Sequence, residues 1–138
     1  MDHSTLRPFD SVTLRPLSLM STVDKFEDLI IWQEAKSLTI IIYKLFGDSR
    51  DFGFKDQIQR ASVSIMNNIA EGFERSSDKD FARFLFIAKA SAGEVRSMLY
   101  LASELKYIDI DKSQELINQA RKLSGSIGNF IKYLKKSN

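Results

Sequence analysis

From Leu17 to Asn138 the chain runs 122 residues without a proline, whereas Pro8 and Pro16 both fall within the first sixteen. Proline fixes φ and lacks an amide proton, so a long stretch free of it leaves helices uninterrupted. Within that stretch apolar residues recur at helical spacing in four blocks. With 138 residues the chain has room for one domain of ordinary size and not for two. At 43% hydrophobic and 28% charged residues it has the composition of a packed globular protein. Residues 1–24 read as a flexible, disordered N-terminal tail, and residues 25–138 as a helical domain. The tail carries the echo Leu6-Arg7-Pro8-Phe9 and Leu14-Arg15-Pro16-Leu17, two copies being too few for a solenoid. Arg15, Pro16 and several hydroxyl residues interrupt any signal-peptide core, and Met20 is an alternative start.

The first periodic block covers about 26–46 and puts Ile31, Trp32, Ala35, Leu38, Ile42 and Phe46 on one arc. Its β-branched runs Leu29-Ile30-Ile31 and Thr39-Ile40-Ile41-Ile42 are locally strand-like, but Glu34, Lys36 and Lys44 keep the helical period. Gly47 and Gly53 bracket a turn. A second helix spans about 54–74. Ser77 has the position of an N-cap for a third helix reaching about Leu105. Asp111-Lys112-Ser113-Gln114 has capping-box spacing for a fourth, reaching about Lys135. Short connections between four such helices predict an antiparallel up-down-up-down four-helix bundle, all-α.

The helices differ in how much of their girth is apolar. Leu116, Ala120, Leu123, Ile127, Phe130, Ile131 and Leu134 of the fourth helix share an arc of roughly 100°, which suits one core and a wet outer face. Apolar residues of the second helix, from Ile58 and Ala61 through Val63 and Met66 to Phe73, spread over roughly 200°. In the third helix the spread runs from Ile87, Met98 and Leu101 through Phe81 and Phe84 to Leu85. Surplus apolar surface on a small protein predicts self-association. Irregular packing within a monomer is the alternative. The remaining sector of the second helix is a polar stripe, Gln57, Arg60, Ser64, Asn68 and Glu71. On the third helix Glu94 lies among Ile87, Ala90, Met98 and Leu101, so it is expected to be half-buried with Arg60 or Gln57 as donor. These six form a candidate polar network at or near subunit contacts.

Several chemistries are excluded or disfavoured. The chain has no cysteine, which removes disulfides, thiolate zinc sites and cysteine nucleophiles. Its one histidine, His3, lies in the tail, so the Glu-x-x-His signature of di-iron bundles is missing from the helices. Gly47 and Gly53 lack the Lys and Ser/Thr of a phosphate loop. A carboxylate pair such as Glu71 and Glu94 would be a very unspecific Mg²⁺ site. No enzyme activity, metal or cofactor is therefore expected. No apolar run is long enough to span a bilayer, and a cytoplasmic protein without a membrane role is expected.

The block Asp56-Gln57-Ile58-Gln59-Arg60-Ala61-Ser62-Val63-Ser64-Ile65-Met66-Asn67-Asn68-Ile69-Ala70-Glu71-Gly72-Phe73-Glu74-Arg75 resembles the signature of the bacterial four-helix-bundle family named after 23S rRNA intervening-sequence proteins. Phe26, Leu29, Trp32, Ala35 and Tyr43, and then Phe81, Phe84, Leu85, Ala88, Ser91 and Glu94, support the match, which runs to about Leu134. Ala90 departs from it, standing where the family often has Gly. The resemblance implies a homopentamer. It also implies a distant similarity to the accessory protein of diversity-generating retroelements, which binds reverse transcriptase and nucleic acid.

Charge distribution bears on that implication. Residues 116–138 hold Arg121, Lys122, Lys132, Lys135 and Lys136 and no acid, against fifteen basic and eighteen acidic residues in the first 115. In a ring this cluster is repeated, giving affinity for RNA or DNA through counterion release. Cations near a helix C-terminus also favour the macrodipole, which is the bland explanation. Apart from Tyr133, no aromatic interleaves with these cations in sequence, so no stacking platform for single strands is indicated. Three readings remain: a homo-oligomeric adaptor for nucleic acid or a nucleic-acid enzyme, an assembly protein of a mobile or intervening element with no ligand, and, last, a carboxylate/Mg-dependent enzyme.

Overall fold

A computed structural model describes residues 23–136. The tail up to residue 22, including Met20, lies outside the described residues. Among the described residues a 3-10 turn, Phe26–Asp28, precedes α1 (Ile30–Phe46), α2 (Phe52–Phe73), α3 (Asp78–Glu104) and α4 (Ile110–Lys136). There is no strand among the described residues.

Contacts between successive helices fix their sense. Along α2, Gln57, Ser64 and Gly72 meet Glu94, Ser91 and Phe84 of α3, so numbers rise on one helix as they fall on the other. Phe81, Lys89 and Tyr100 of α3 meet Phe130, Gly128 and Arg121 of α4 in the same reversed order. Phe46 and Thr39 of α1 likewise meet Phe54 and Ser62 of α2. Each neighbour is antiparallel to the last. α3 packs extensively on both α2 and α4, whereas α1 leans mainly on α2 and touches α4 sparingly.

Helix boundaries follow local chemistry. The first helix does not begin at residue 26. Leu29 is extended, with φ −77° and ψ 126°, and its fully buried side chain turns into the core, separating the 3-10 turn from α1. Gln33 bridges the break by donating its side-chain amide to the Glu27 carbonyl at 2.8 Å. Asp51 caps α2, accepting from the Phe54 amide at 3.1 Å, which places Gly53 inside the helix rather than in the turn. Ser77 caps α3 as its position predicts. For α4 the cap is Asp109, which accepts from the Lys112 amide at 2.8 Å, and not Asp111. Two acids at interchangeable spacing precede that helix, and packing of Ile108 against the core selects the earlier one.

The core is built from the predicted faces. Ile31, Ala35, Leu38 and Ile42 of α1, Ile58, Ile65 and Ile69 of α2, and all seven α4 residues of the narrow arc are buried. α4 buries more than that arc, because Ser113, Ile117, Ser126 and Tyr133 are covered too. Ser113 compensates for its burial by donating to the Leu99 carbonyl of α3 at 2.8 Å. Packing begins earlier than residue 25, since Val23 is buried against the core. At one end Tyr107, between α3 and α4, donates to Asp51 at 2.6 Å and stacks edge-on with Phe54, tying two connections together.

One glycine decides how closely the second hairpin can close. A Cβ at Gly72 would lie 2.7 Å from Phe84 Cβ and 2.9 Å from Phe81 Cδ1, with the Phe81 carbonyl at 3.3 Å. At Gly125 on α4 a Cβ would meet nothing within 4 Å. Alanine favours a helix over glycine by about 1 kcal/mol, so the two sites respond oppositely. Gly72→Ala is expected to destabilise the fold by roughly 1–3 kcal/mol through overpacking, despite the better propensity. Gly125→Ala is expected to stabilise it by about 0.5–1 kcal/mol. Chemical denaturation of the two variants measures both signs.

Candidate functional site

The α2 polar stripe meets α3, but only part of it forms the expected network. Ser64 and Ser91 share a hydrogen bond of 2.8 Å across the two helices. Asn68 donates to the Ser64 hydroxyl at 3.0 Å and to the Ser64 carbonyl at 2.8 Å, orienting the pair. One to two turns away Gln57 donates to Glu94 at 3.3 Å. Arg60 takes no part: it pairs with Asp56 on its own helix at 3.0 Å, both side chains being largely exposed. Glu71 likewise pairs with Arg75, at 3.5 Å. For both, a partner on the same helix four residues away costs less ordering than one on another helix. Glu94 is exposed rather than half-buried. Its apolar neighbours explain the difference, because Ile87 and Leu101 are themselves 43% and 47% exposed.

Ser91 is the residue that sequence reasoning left out of the network. It lies one turn before Glu94, on the face that meets Ser64. An antiparallel register drawn from Gln57 and Glu94 would have reached it. Ala90, where the family often has glycine, is exposed, so helix approach does not depend on it.

The five α4 cations all lie on its exposed surface but fan out over three directions. Lys122 faces α1 across a groove of about 360 Å³ lined by Gln33, Glu34, Ser37, Gln119, Lys122 and Leu123. Half burial raises the Glu34 carboxyl above its usual range, while the Lys122 charge pulls it partly back. Lys132 and Lys136 point outward. Arg121 and Lys135 lean toward α3, the first reaching the Tyr100 hydroxyl at 3.4 Å, the second standing 5.0 Å over the Phe86 ring. Tyr133, the aromatic nearest these cations in sequence, is buried. Aromatic groups beside the cations come instead from α3, a juxtaposition that exists only once the helices are in register.

At the bundle end the Tyr107 hydroxyl and the Phe54 amide hold the Asp51 carboxyl below its usual range, and the same bond raises the Tyr107 phenol. Both are capping and fastening groups. Among the described residues no three acids converge on a point that would hold a metal ion. Nor is any described helix long and apolar enough to cross a membrane.

The sequence of residues 27–129 matches the family described as 23S rRNA-intervening sequence protein. The chain belongs to that family. A crystal structure of a protein with unknown function from the S23 ribosomal protein family of Bacteroides thetaiotaomicron VPI-5482 has the same fold, with a TM-score of 0.69 and 25% sequence identity. It covers 74% of this chain and 98% of its own. No curated protein matches the chain. Within the family signature, Gln57 and Ser64 reach α3 by hydrogen bonds, Asn68 orients Ser64 from within α2, Phe73 stacks edge-on against Phe81, and Gly72 lets the two backbones approach.

The Glu34 groove carries a pH dependence with a defined sign. A carboxyl whose folded pKa is raised binds its proton more tightly when folded, so its ionisation weakens the fold as pH rises through that value. Glu34→Gln is therefore expected to melt at a higher temperature than the parent at about pH 7. The difference should close on acidification to about pH 3, well below the ordinary glutamate range, where the parent carboxyl is protonated in both states. Thermal denaturation across that window tests it.

Proposed function

We propose that this 23S rRNA-intervening sequence family protein is a non-enzymatic adaptor that assembles with copies of itself, as a ring of five, and carries nucleic acid on the repeated cationic flank of α4. The observation that carries this reading is the uncovered apolar edge of α3. Ile87 and Leu101, four turns apart on one face, remain almost half exposed beside Glu94 and the polar stripe of α2. Each leaves on the order of 1 kcal/mol of burial that only a second molecule can collect. The polar rim around them, Gln57 and Glu94 included, suits a subunit contact with an apolar centre. A stoichiometry of five rests on the resemblance to the 23S rRNA intervening-sequence family.

Nucleic acid is favoured as the cargo because α4 has no acid from Leu116 to Lys136 and five cations on its surface. Repetition around a ring multiplies that field without requiring base recognition. A nucleic-acid enzyme is the other cargo this surface would suit.

Two measurements test the proposal. Light scattering on the purified chain is expected to give a multiple of the single-chain mass at micromolar concentration, and Ile87→Glu with Leu101→Glu is expected to return it to single chains. Binding to RNA and DNA is expected to weaken steeply with salt. Lys132→Gln with Lys136→Gln should reduce the logarithmic salt slope by roughly 0.7–0.9 for each charge removed. Assembly without any salt-sensitive binding would leave a scaffold and remove the cargo.

A further inference from the structure

The seam between α3 and α4 has a repeat that neither helix shows alone. On α3, Phe86, Gly93 and Tyr100 follow one another at seven-residue spacing and so stand on one face. On α4, Arg121, Gly128 and Lys135 do the same. Antiparallel packing sets the two rows side by side: Phe86 against Lys135, and Tyr100 against Arg121. Between them the stem of Lys89 lies in the notch left by Gly128, where a Cβ would stand 3.2 Å from Lys89 Cε. At Gly93 a Cβ would meet nothing within 4 Å. The result is two aromatic–cation couples about 21 Å apart along the helix axis, with the Lys89 stem lying between them over Gly128.

Exposure and charge indicate what such a seam would hold. Phe86 is 49% and Tyr100 50% exposed, so each ring offers a free surface beside its cation. Lys89, Arg121 and Lys135 lie along the seam and Arg96 shares the face of α3 that carries the rings, whereas the acid of α3 between the rings, Glu94, is turned to α2 and engaged by Gln57, and Glu104 lies a turn beyond Tyr100. Exposed rings among cations, with the intervening carboxylate turned away, complement a polyanion whose bases are free to stack. A duplex keeps its bases inside and uses only the cations. An acidic peptide would use the cations and leave the rings without partners of their own kind.

We infer that the α3–α4 seam is a binding track for single-stranded nucleic acid, its bases stacking on Phe86 and Tyr100 and its phosphates lying over Lys89, Arg121 and Lys135. This inference rests on the nucleic-acid reading above and adds strand type and residues to it. It uses the α4-facing side of α3, leaving the side with Ile87 and Leu101 for contact between subunits. The rings carry affinity through stacking, which is insensitive to base identity, and the cations carry the salt dependence.

Fluorescence anisotropy of the full chain with labelled oligo(U) and oligo(dT) of ~15 nucleotides, and with a duplex of the same length, tests it. Single strands are expected to bind more tightly than duplex. Phe86→Ala and Tyr100→Ala should each weaken single-strand binding by about tenfold and leave duplex binding unchanged. Phe86→Tyr and Tyr100→Phe, which keep a ring, should retain the affinity. Arg121→Gln or Lys135→Gln should each lower the salt slope by about 0.7. Equal affinity for duplex and single strand, untouched by the alanine variants, would overturn the seam while leaving a cationic adaptor. Loss of assembly mass in the alanine variants would assign the rings to a subunit contact and overturn the seam as well. No salt-sensitive binding to any probe would remove both readings together.

Discussion

The fold turns on a missing side chain. Because Gly72 has no Cβ, the last turn of α2 lies directly against Phe81 and Phe84 at the start of α3. That approach fixes the register of the hairpin. With the register set there, Ser64 falls opposite Ser91 and Gln57 opposite Glu94, at successive points along the same two helices. Bulk at position 72 would pry the hairpin open from its closed end. The polar contacts farther along are too weak, at about 1 kcal/mol each, to draw it shut again.

α3 is the element through which everything else communicates. One side of it receives α2, another receives α4, and a buried line through Leu85, Ala88, Ala92, Val95 and Leu99 joins the core between them. What is left over is a strip that carries unusual chemistry for a solvated surface: Phe86, Ile87, Tyr100 and Leu101. Adjacent residues in that strip look in different directions, Ile87 and Leu101 toward the α2 edge, Phe86 and Tyr100 toward the α4 edge. A single helix thus presents an apolar edge suited to a copy of the chain and an aromatic, cation-lined edge suited to a polyanion. α1, by contrast, closes the core from outside and leaves a polar groove against α4 around Glu34 and Lys122.

Much of this was legible in the amino-acid sequence, and the parts that were not share a cause. The four helices, the buried arc of α4 and the Ser77 cap follow from periodicity and local capping chemistry. The excess apolar girth of α3 was legible too, as Ile87 and Leu101 are indeed left uncovered. Less so was that of α2, where Met66 and Phe73 are partly covered by the core. Arg60 and Glu71 read as network members by their face, yet each is taken by a charge four residues along its own helix. Leu29 breaks the first helix because its side chain is worth more in the core than one more helical turn. Asp109 replaced Asp111 as the α4 cap for lack of any local distinction between them. The Phe86–Lys135 and Tyr100–Arg121 couples could not be read at all, since they depend on the register of two helices and on no pattern within either.

The chain's lack of cysteine gives a direct probe of the central claim, that the α2-side edge of α3 is a contact between copies. A spin label attached through Leu101→Cys reports its own mobility and its access to dissolved oxygen and polar relaxants. If the edge is a subunit contact, the label will be immobilised and shielded at micromolar concentration and will loosen on dilution. A label that is mobile and accessible at every concentration, on a chain that remains folded, would contradict it.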